Sequence, residues 1–191
     1  MPPVQVRAGR SVVMLQYRPA VSSDMQMIVQ LHVSIGQSAY AHILPEAYLK
    51  HTLPIEKQEL WEKRFAAPSP GHLIFVASYG AEIGGFCCFD FNEETEFGTY
   101  LHNLYVSPQF QGQGVAKSLL HHAVSAFEAS RKDLPIHLLA FAKNAVATAV
   151  YDRLGGTVIE RSEVVRAGNP PVELLRYQWP SADALLEKLG D

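Results

Sequence analysis

"YVSPQFQGQGVAKSLLHHAV", residues 105–124, runs from the end of an apolar strand through a loop with two glycines into an amphipathic helix. Gly112 and Gly114 stand two apart, just where the helix begins. The first turn of a helix leaves backbone N–H groups without partners, and the aligned peptide dipoles put partial positive charge there. Glycine keeps side chains out of the way of a ligand approaching those amides. A tight turn and an anion site both explain the pattern, so the rest of the chain has to decide. Lys117, just inside the helix, adds a full positive charge to the second reading. The spacing is not GxxxxGK[ST], and Lys117 stands where the third glycine of GxGxxG would be. Neither a P-loop nor a complete dinucleotide fingerprint is present.

The 191 residues suffice for one domain with a substantial core, so residues 1–191 are read as a single domain. Hydrophobic residues are 48% and charged residues 18%, the balance of a globular chain rather than a disordered one. A net charge of -3 gives no basic surface for nucleic acid. No run of about 18 apolar residues marks a membrane span, and the stretch after Arg7 and Arg10, "SVVML", is short for a signal peptide. A cytoplasmic location is the expectation. Cys87 and Cys88 are adjacent in a strand, so they point to opposite faces and read as two small buried hydrophobes. The 8 histidines lack HExxH or a similar ligand spacing, and no metal is expected.

Around the loop the chain reads as alternating elements. "MLQYRP" is a first strand stopped by Pro19, and Ser22, Ser23 and Asp24 offer caps for a helix through "MQMIVQLHVSIGQ". "LPEAYLKHTLP" and "EKQELWEKRFAA" read as two short helices bounded by prolines. "HLIFVASY" and "IGGFCCFDF" flank a hairpin turn, and "TYLHNLYV" is the strand before the loop. The following helix is expected through "VAKSLLHHAVSAFEAS", with Ala116, Leu119, Leu120, Ala123 and Phe127 on one face. "IHLLAF" is a strand of the buried kind, and "NAVATAVYDRL" a helix with Asn144 as N-cap and Gly155-Gly156 at its end. "TVIERSEVV" and "VELLRYQW" close the sheet around the turn "AGNPP", and Ser181 caps a last helix, "SADALLEKLG". The order predicts an α/β fold with a mixed sheet and helices on its faces.

The ordered motifs resemble the GNAT superfamily of acyl-CoA-dependent N-acetyltransferases. That family carries a strand ending L-x-V-x-P and then [QR]-x-x-G-x-[GA] at a helix start, matched here by Leu104, Val106, Pro108, Gln111, Gly114 and Ala116. A later helix opens with Asn and carries Tyr two turns on, matched by Asn144 and Tyr151. Thr157 stands where the family usually has an aromatic. The resemblance covers residues from about 72 to 178. It implies a mixed, mostly antiparallel twisted sheet of about seven strands, with a splay between two central parallel strands.

It also implies roles. Acetyl-CoA would be the co-substrate, its pyrophosphate held by the amides of Gln111, Gly112, Gln113, Gly114, Val115 and Ala116, continuing into Lys117. Leu104, Tyr105 and Val106 would supply the strand edge for the pantetheine arm, and an amide near Tyr105 would polarise the thioester carbonyl. Asn144 would face the cofactor from the other helix, and Tyr151, about 10 Å along that face, would protonate the departing thiolate. Many relatives carry a glutamate where this chain has Tyr100. With no carboxylate between Glu96 and Glu128, the base is open between His102 and Glu94 or Glu96 acting through water. Tyr40, His42 and Glu46 would lie on the acceptor side. The partner implied is a small-molecule or peptide amine, with a homodimer through the closing strands as a further option. A catalytically inactive acyl-CoA-binding sensor or scaffold of the same fold is the competing reading.

Overall fold

The computed structural model describes residues 4–8, 11–66, 71–165 and 170–190. Arg10, Ala67 and most of the "AGNPP" turn lie outside the described residues. Eight strands form one sheet: β1 (Val4–Ala8), β2 (Ser11–Pro19), β3 (His72–Tyr79), β4 (Glu82–Asp90), β5 (Thr99–Val106), β6 (Ile136–Phe141), β7 (Thr157–Val164) and β8 (Val172–Trp179). Their spatial order is β1-β2-β3-β4-β5-β6-β8-β7, antiparallel throughout except for the central β5–β6 pair. The sequence accounts for seven of them. The eighth, β1, is a five-residue strand whose Gln5 and Arg7 are exposed, too short to announce itself by periodicity.

Helices α1 (Met25–Ala39) and α2 (Leu53–Ala66) cover one face of the sheet, and α3 (Val115–Ser125) and α6 (Ala182–Gly190) the other. On the first face Ile28, Trp61, Val76 and Phe86 are fully buried; on the second, Leu15, Phe89, Leu119, Leu120, Ile136 and Leu185. Central β4 is covered on both faces, which is why "GGFCCFD" is an almost unbroken apolar run. Cys87 packs into the α3 side and Cys88 into the α1 side, so adjacent thiols do face opposite ways.

Two helices differ from the sequence reading. The prolines do not divide residues 46–66 into separate helices. Tyr48–Thr52 winds as a π-helix in which the Leu53 N–H reaches back five residues to the Tyr48 carbonyl, and α2 follows directly. The wider turn lets Pro54 sit near the start of α2 without a break. The helix after the glycine loop ends at Ser125 and a short α4 (Ala129–Lys132) follows. Between them Phe127 turns into the core, edge-on to Phe89 at 5.0 Å and Phe91 at 5.3 Å. The remaining helix, α5 (Ala145–Arg153), lies after β6 with Asn144 as its N-cap. Ser181 Oγ accepts the Ala184 N–H at 3.0 Å and caps α6.

Candidate active site

β5 and β6 share only two register positions, Thr99↔Ile136 and Tyr100↔His137, and then part. The glycine loop leaves the far end of β5 at the mouth of this gap. Pro108–Phe110 makes one tight turn, with Phe110 fully buried. Gly112 and Gly114 then take φ of +73° and +77°, the left-handed region that costs a non-glycine residue about 1–2 kcal/mol. A Cβ built on either would meet nothing within 4 Å, so backbone conformation and not crowding selects glycine here. The first α-helical bond runs from the Ser118 N–H to the Gly114 carbonyl at 3.0 Å. The N–H groups of Val115, Ala116 and Lys117 therefore have no acceptor within the helix. Free helix-start donors beside two glycines with open space around them fit a pyrophosphate.

The glutamines of the loop act on the protein itself. Gln111 Nε2 donates to the Val106 carbonyl at 2.9 Å, and its own N–H bonds the Pro108 carbonyl at 3.3 Å. Gln113 clasps β1: its Oε1 accepts the Arg7 N–H at 2.6 Å, and its Nε2 donates to the carbonyls of Arg7 at 3.1 Å and Gln109 at 2.9 Å. Side chains shape the loop, and backbone is what it offers a ligand. On β5, Val106 is buried, Leu104 is half-buried against the α3 side, and Tyr105 stacks on Phe86 at 5.4 Å. The Tyr105 hydroxyl lies 3.0 Å from that of Tyr40, whose ring also meets Phe141 of β6 at 5.2 Å. Tyr40 therefore bridges the gap between the parted strands. His42 is exposed, and Glu46 pairs with Lys50 on the surface.

Asn144 Oδ1 accepts the Ala147 N–H at 3.3 Å, so its side chain starts α5. Two turns later Tyr151 packs on Tyr177 at 5.4 Å and Trp179 at 6.3 Å, between ring centroids. Burial, with Tyr40, Tyr177 and Tyr100 nearby, holds its phenol well above the ordinary tyrosine pKa. The hydroxyl has no hydrogen-bond partner among the described residues. It is a protonated donor with Tyr40 and with Tyr100 of β5 nearby.

His102 occupies a β-bulge. Cys88 pairs with Asn103 and Phe89 with Leu101, leaving His102 as the extra residue. The bulge breaks the alternation: Leu101 and Leu104, three apart, both pack on the α3 side, whereas Asn103 and Tyr105 lie on the α1–α2 side. Bulges re-aim side chains in this way beside functional sites. The His102 ring lies 5.0 Å from that of Tyr100, and its Nε2 lies 3.7 Å from Glu93 Oε2. Burial, then Arg64, lowers its pKa to about 4, so it is neutral at physiological pH.

Glu93 was invisible to the sequence reading. Asp90 Oδ1 accepts the N–H groups of Asn92 and Glu93 at 2.8 and 3.0 Å, and this turn swings Glu93 over β5. Burial, then the charges of Asp90 and Glu94, raise the Glu93 pKa and make it a better proton acceptor than a solvated carboxylate. Glu94 is held elsewhere, in an ion pair with Arg176 at 2.7 Å. Glu96 lines a small cavity of about 140 Å³ with Phe91, Arg131 and Leu134. Among the described residues no three His, Cys, Asp or Glu side chains form a metal-binding group, and no helix is long and apolar enough to cross a membrane.

Parted parallel strands with an amide-lined glycine loop at their end define the class. Residues 38–156, more than half the chain, match the sequence profile described as "Acetyltransferase (GNAT) family". The chain belongs to the GNAT acetyltransferase family. Solved structures agree on the fold. The PaiA N-acetyltransferase of Thermoplasma acidophilum, solved with coenzyme A, superposes with a TM-score of 0.67 at 18% identity, over 86% of this chain and 99% of that one. Arabidopsis thaliana NAA60, solved with a bisubstrate analogue, gives 0.64 at 18% identity, over 86% and 97%. The ribosomal-protein-alanine N-acetyltransferase of Brucella melitensis gives 0.64 at 18% identity, over 86% and 99%. No curated protein matches the chain by sequence.

Proposed function

We propose that the protein transfers an acetyl group from acetyl-CoA to a primary amine of a small molecule or peptide, by direct attack while both are bound. The observation that supports this is the glycine loop with free helix-start amides at the end of the parted β5–β6 pair, together with the protonated phenol of Tyr151 near Tyr40 and Tyr100. Bound acetyl-CoA supplies an activated acyl thioester. The backbone N–H groups of Val115, Ala116 and Lys117 hold its pyrophosphate, and Gly112 and Gly114 let it approach. The edge formed by Leu104, Tyr105 and Val106 aligns the pantetheine arm. A β5 amide near Tyr105 hydrogen-bonds the carbonyl oxygen and stabilises the negative charge that develops there.

The amine reaches the carbonyl carbon from the α1–α2 side. His102, neutral and with Glu93 3.7 Å away, accepts the proton released as the C–N bond forms. Tyr151 gives its proton to sulfur as the C–S bond breaks, so that the products are N-acetylated amine and free CoA thiol. A neutral His102 beside Glu93 and a protonated Tyr151 favour an enzyme over an inactive acyl-CoA sensor.

The test is a panel of primary amines incubated with acetyl-CoA and the full chain, read by free-thiol release. Amine-dependent release that Tyr151→Phe reduces supports the reading. Acetyl-CoA binding with no amine-dependent release would favour the sensor, and failure to bind any CoA ester would overturn both.

A further inference from the structure

Two cations of α2 lie toward His102. Lys57 and Arg64 are seven residues apart, about 10 Å along one helix face, and both are half-buried. Both charges act on His102 and on His32 beneath it. Arg64 is held in place: one Nη1–H donates to Oδ1 of Asn103, the neighbour of His102, at 3.3 Å, and the guanidinium lies 5.1 Å from the Trp61 ring centroid. Nearby carboxylates are engaged with other groups. Asp90 pairs with His72 at 2.8 Å, Glu94 with Arg176 at 2.7 Å, and Glu56 accepts the Tyr48 hydroxyl at 2.6 Å. Glu93 is turned to His102. Among the described residues no carboxylate forms an ion pair with Arg64.

A half-buried guanidinium with no carboxylate in ion-pair contact, beside the proposed proton acceptor, suits a planar carboxylate. Building on the acetyltransferase reading, we propose that Arg64, assisted by Lys57, binds a carboxylate of the acceptor, so that the amine acetylated belongs to the amino-acid class. The acceptor nitrogen then faces Glu93 and His102 while its carboxylate faces α2. A polyamine would set its second positive charge against Arg64 and Lys57 and be disfavoured.

Matched pairs decide the question: L-phenylalanine with phenethylamine, L-leucine with isoamylamine, and spermidine as the polycation. Each is titrated calorimetrically into the full chain saturated with CoA, and each is assayed for thiol release from acetyl-CoA. The acid-bearing member of at least one pair should bind and turn over better by about tenfold or more, a gap of about 1.4 kcal/mol. Arg64→Gln should erase that gap by raising the acceptor KM, leaving the KM for acetyl-CoA within about twofold, and Arg64→Lys should restore part of it. Lys57→Gln, which leaves the Asn103 contact in place, should narrow the gap if Arg64→Gln fails to fold. Equal or better use of the decarboxylated amines or spermidine, or a preference that survives these substitutions, overturns the proposal. If acetyl-CoA binds but no amine is acetylated, the transferase reading fails separately. The calorimetric arm then still decides, because carboxylate-bearing amines must bind in an Arg64-dependent way.

Discussion

Tyr151 and His102 divide the proton traffic, and burial sets both of them. Desolvation raises the Tyr151 pKa, so the phenol keeps its proton as pH rises past the ordinary tyrosine range. Tyr151→Phe should cut kcat by about 100-fold while leaving the Kd for acetyl-CoA within about twofold, measured by steady-state assay and calorimetry. A Tyr151→Phe kcat equal to that of the unsubstituted chain across the pH range would remove Tyr151 from the reaction. Desolvation acts oppositely on His102, where it disfavours the charged ring and lowers the pKa to about 4. The ring can therefore accept a proton at any pH above about 4. The acid limb of kcat should fall near pH 4–5 instead of the usual 6.5, and His102→Ala should abolish it. At this scale the helix carrying Tyr151 was legible, because Asn144 caps its start and Gly155-Gly156 follow its end. Glu93 was not, because a turn made by Asp90 aims it, and His102 gave no sign of its bulge, which exists only in the pairing of β5 with β4.

The glycine loop and β1 are two elements joined by one side chain. Gln113 makes two hydrogen bonds to the backbone of Arg7 and one to Gln109, so the loop is held open partly by a strand more than a hundred residues away. Each such bond contributes about 0.5–1.5 kcal/mol net. Gln113→Ala should raise the KM for acetyl-CoA by about 5- to 10-fold with kcat changed by less than about twofold; an unchanged KM would mean the loop holds its shape alone. The strands from β3 to β6 could be read from sequence because apolar runs and Gly or Pro punctuation mark them. The clasp could not, since nothing in "VQVRA" announces a partner for Gln113. The π-turn of residues 48–52 was equally hidden, because proline signals a helix end unless an extra residue is wound in before it.

Across the whole molecule, His32, His102 and His137 are all held neutral by burial, the latter two with pKa lowered to about 4. In the unfolded chain each titrates near 6.5, so between about pH 6.5 and 4 the unfolded state binds more protons than the folded one. Stability from these groups is complete above pH 6.5 and is lost as pH falls toward 4. The Tm should decline steadily over that window and stay nearly flat from pH 7 to 8; a Tm that rises on acidification from 6.5 to 5 would contradict the assignment. The mixed sheet was readable from the order of elements, and its splay from the family resemblance. The place of α2 beside His102 was not, because it comes only from packing. The central claim, that the parted strands and amide cradle form an acyl-CoA site, is tested most directly by calorimetric titration of acetyl-CoA into the full chain. One site per chain, displaced by CoA but not by ATP or NAD, is the predicted result. No saturable binding, or displacement by ATP as readily as by CoA, would contradict it.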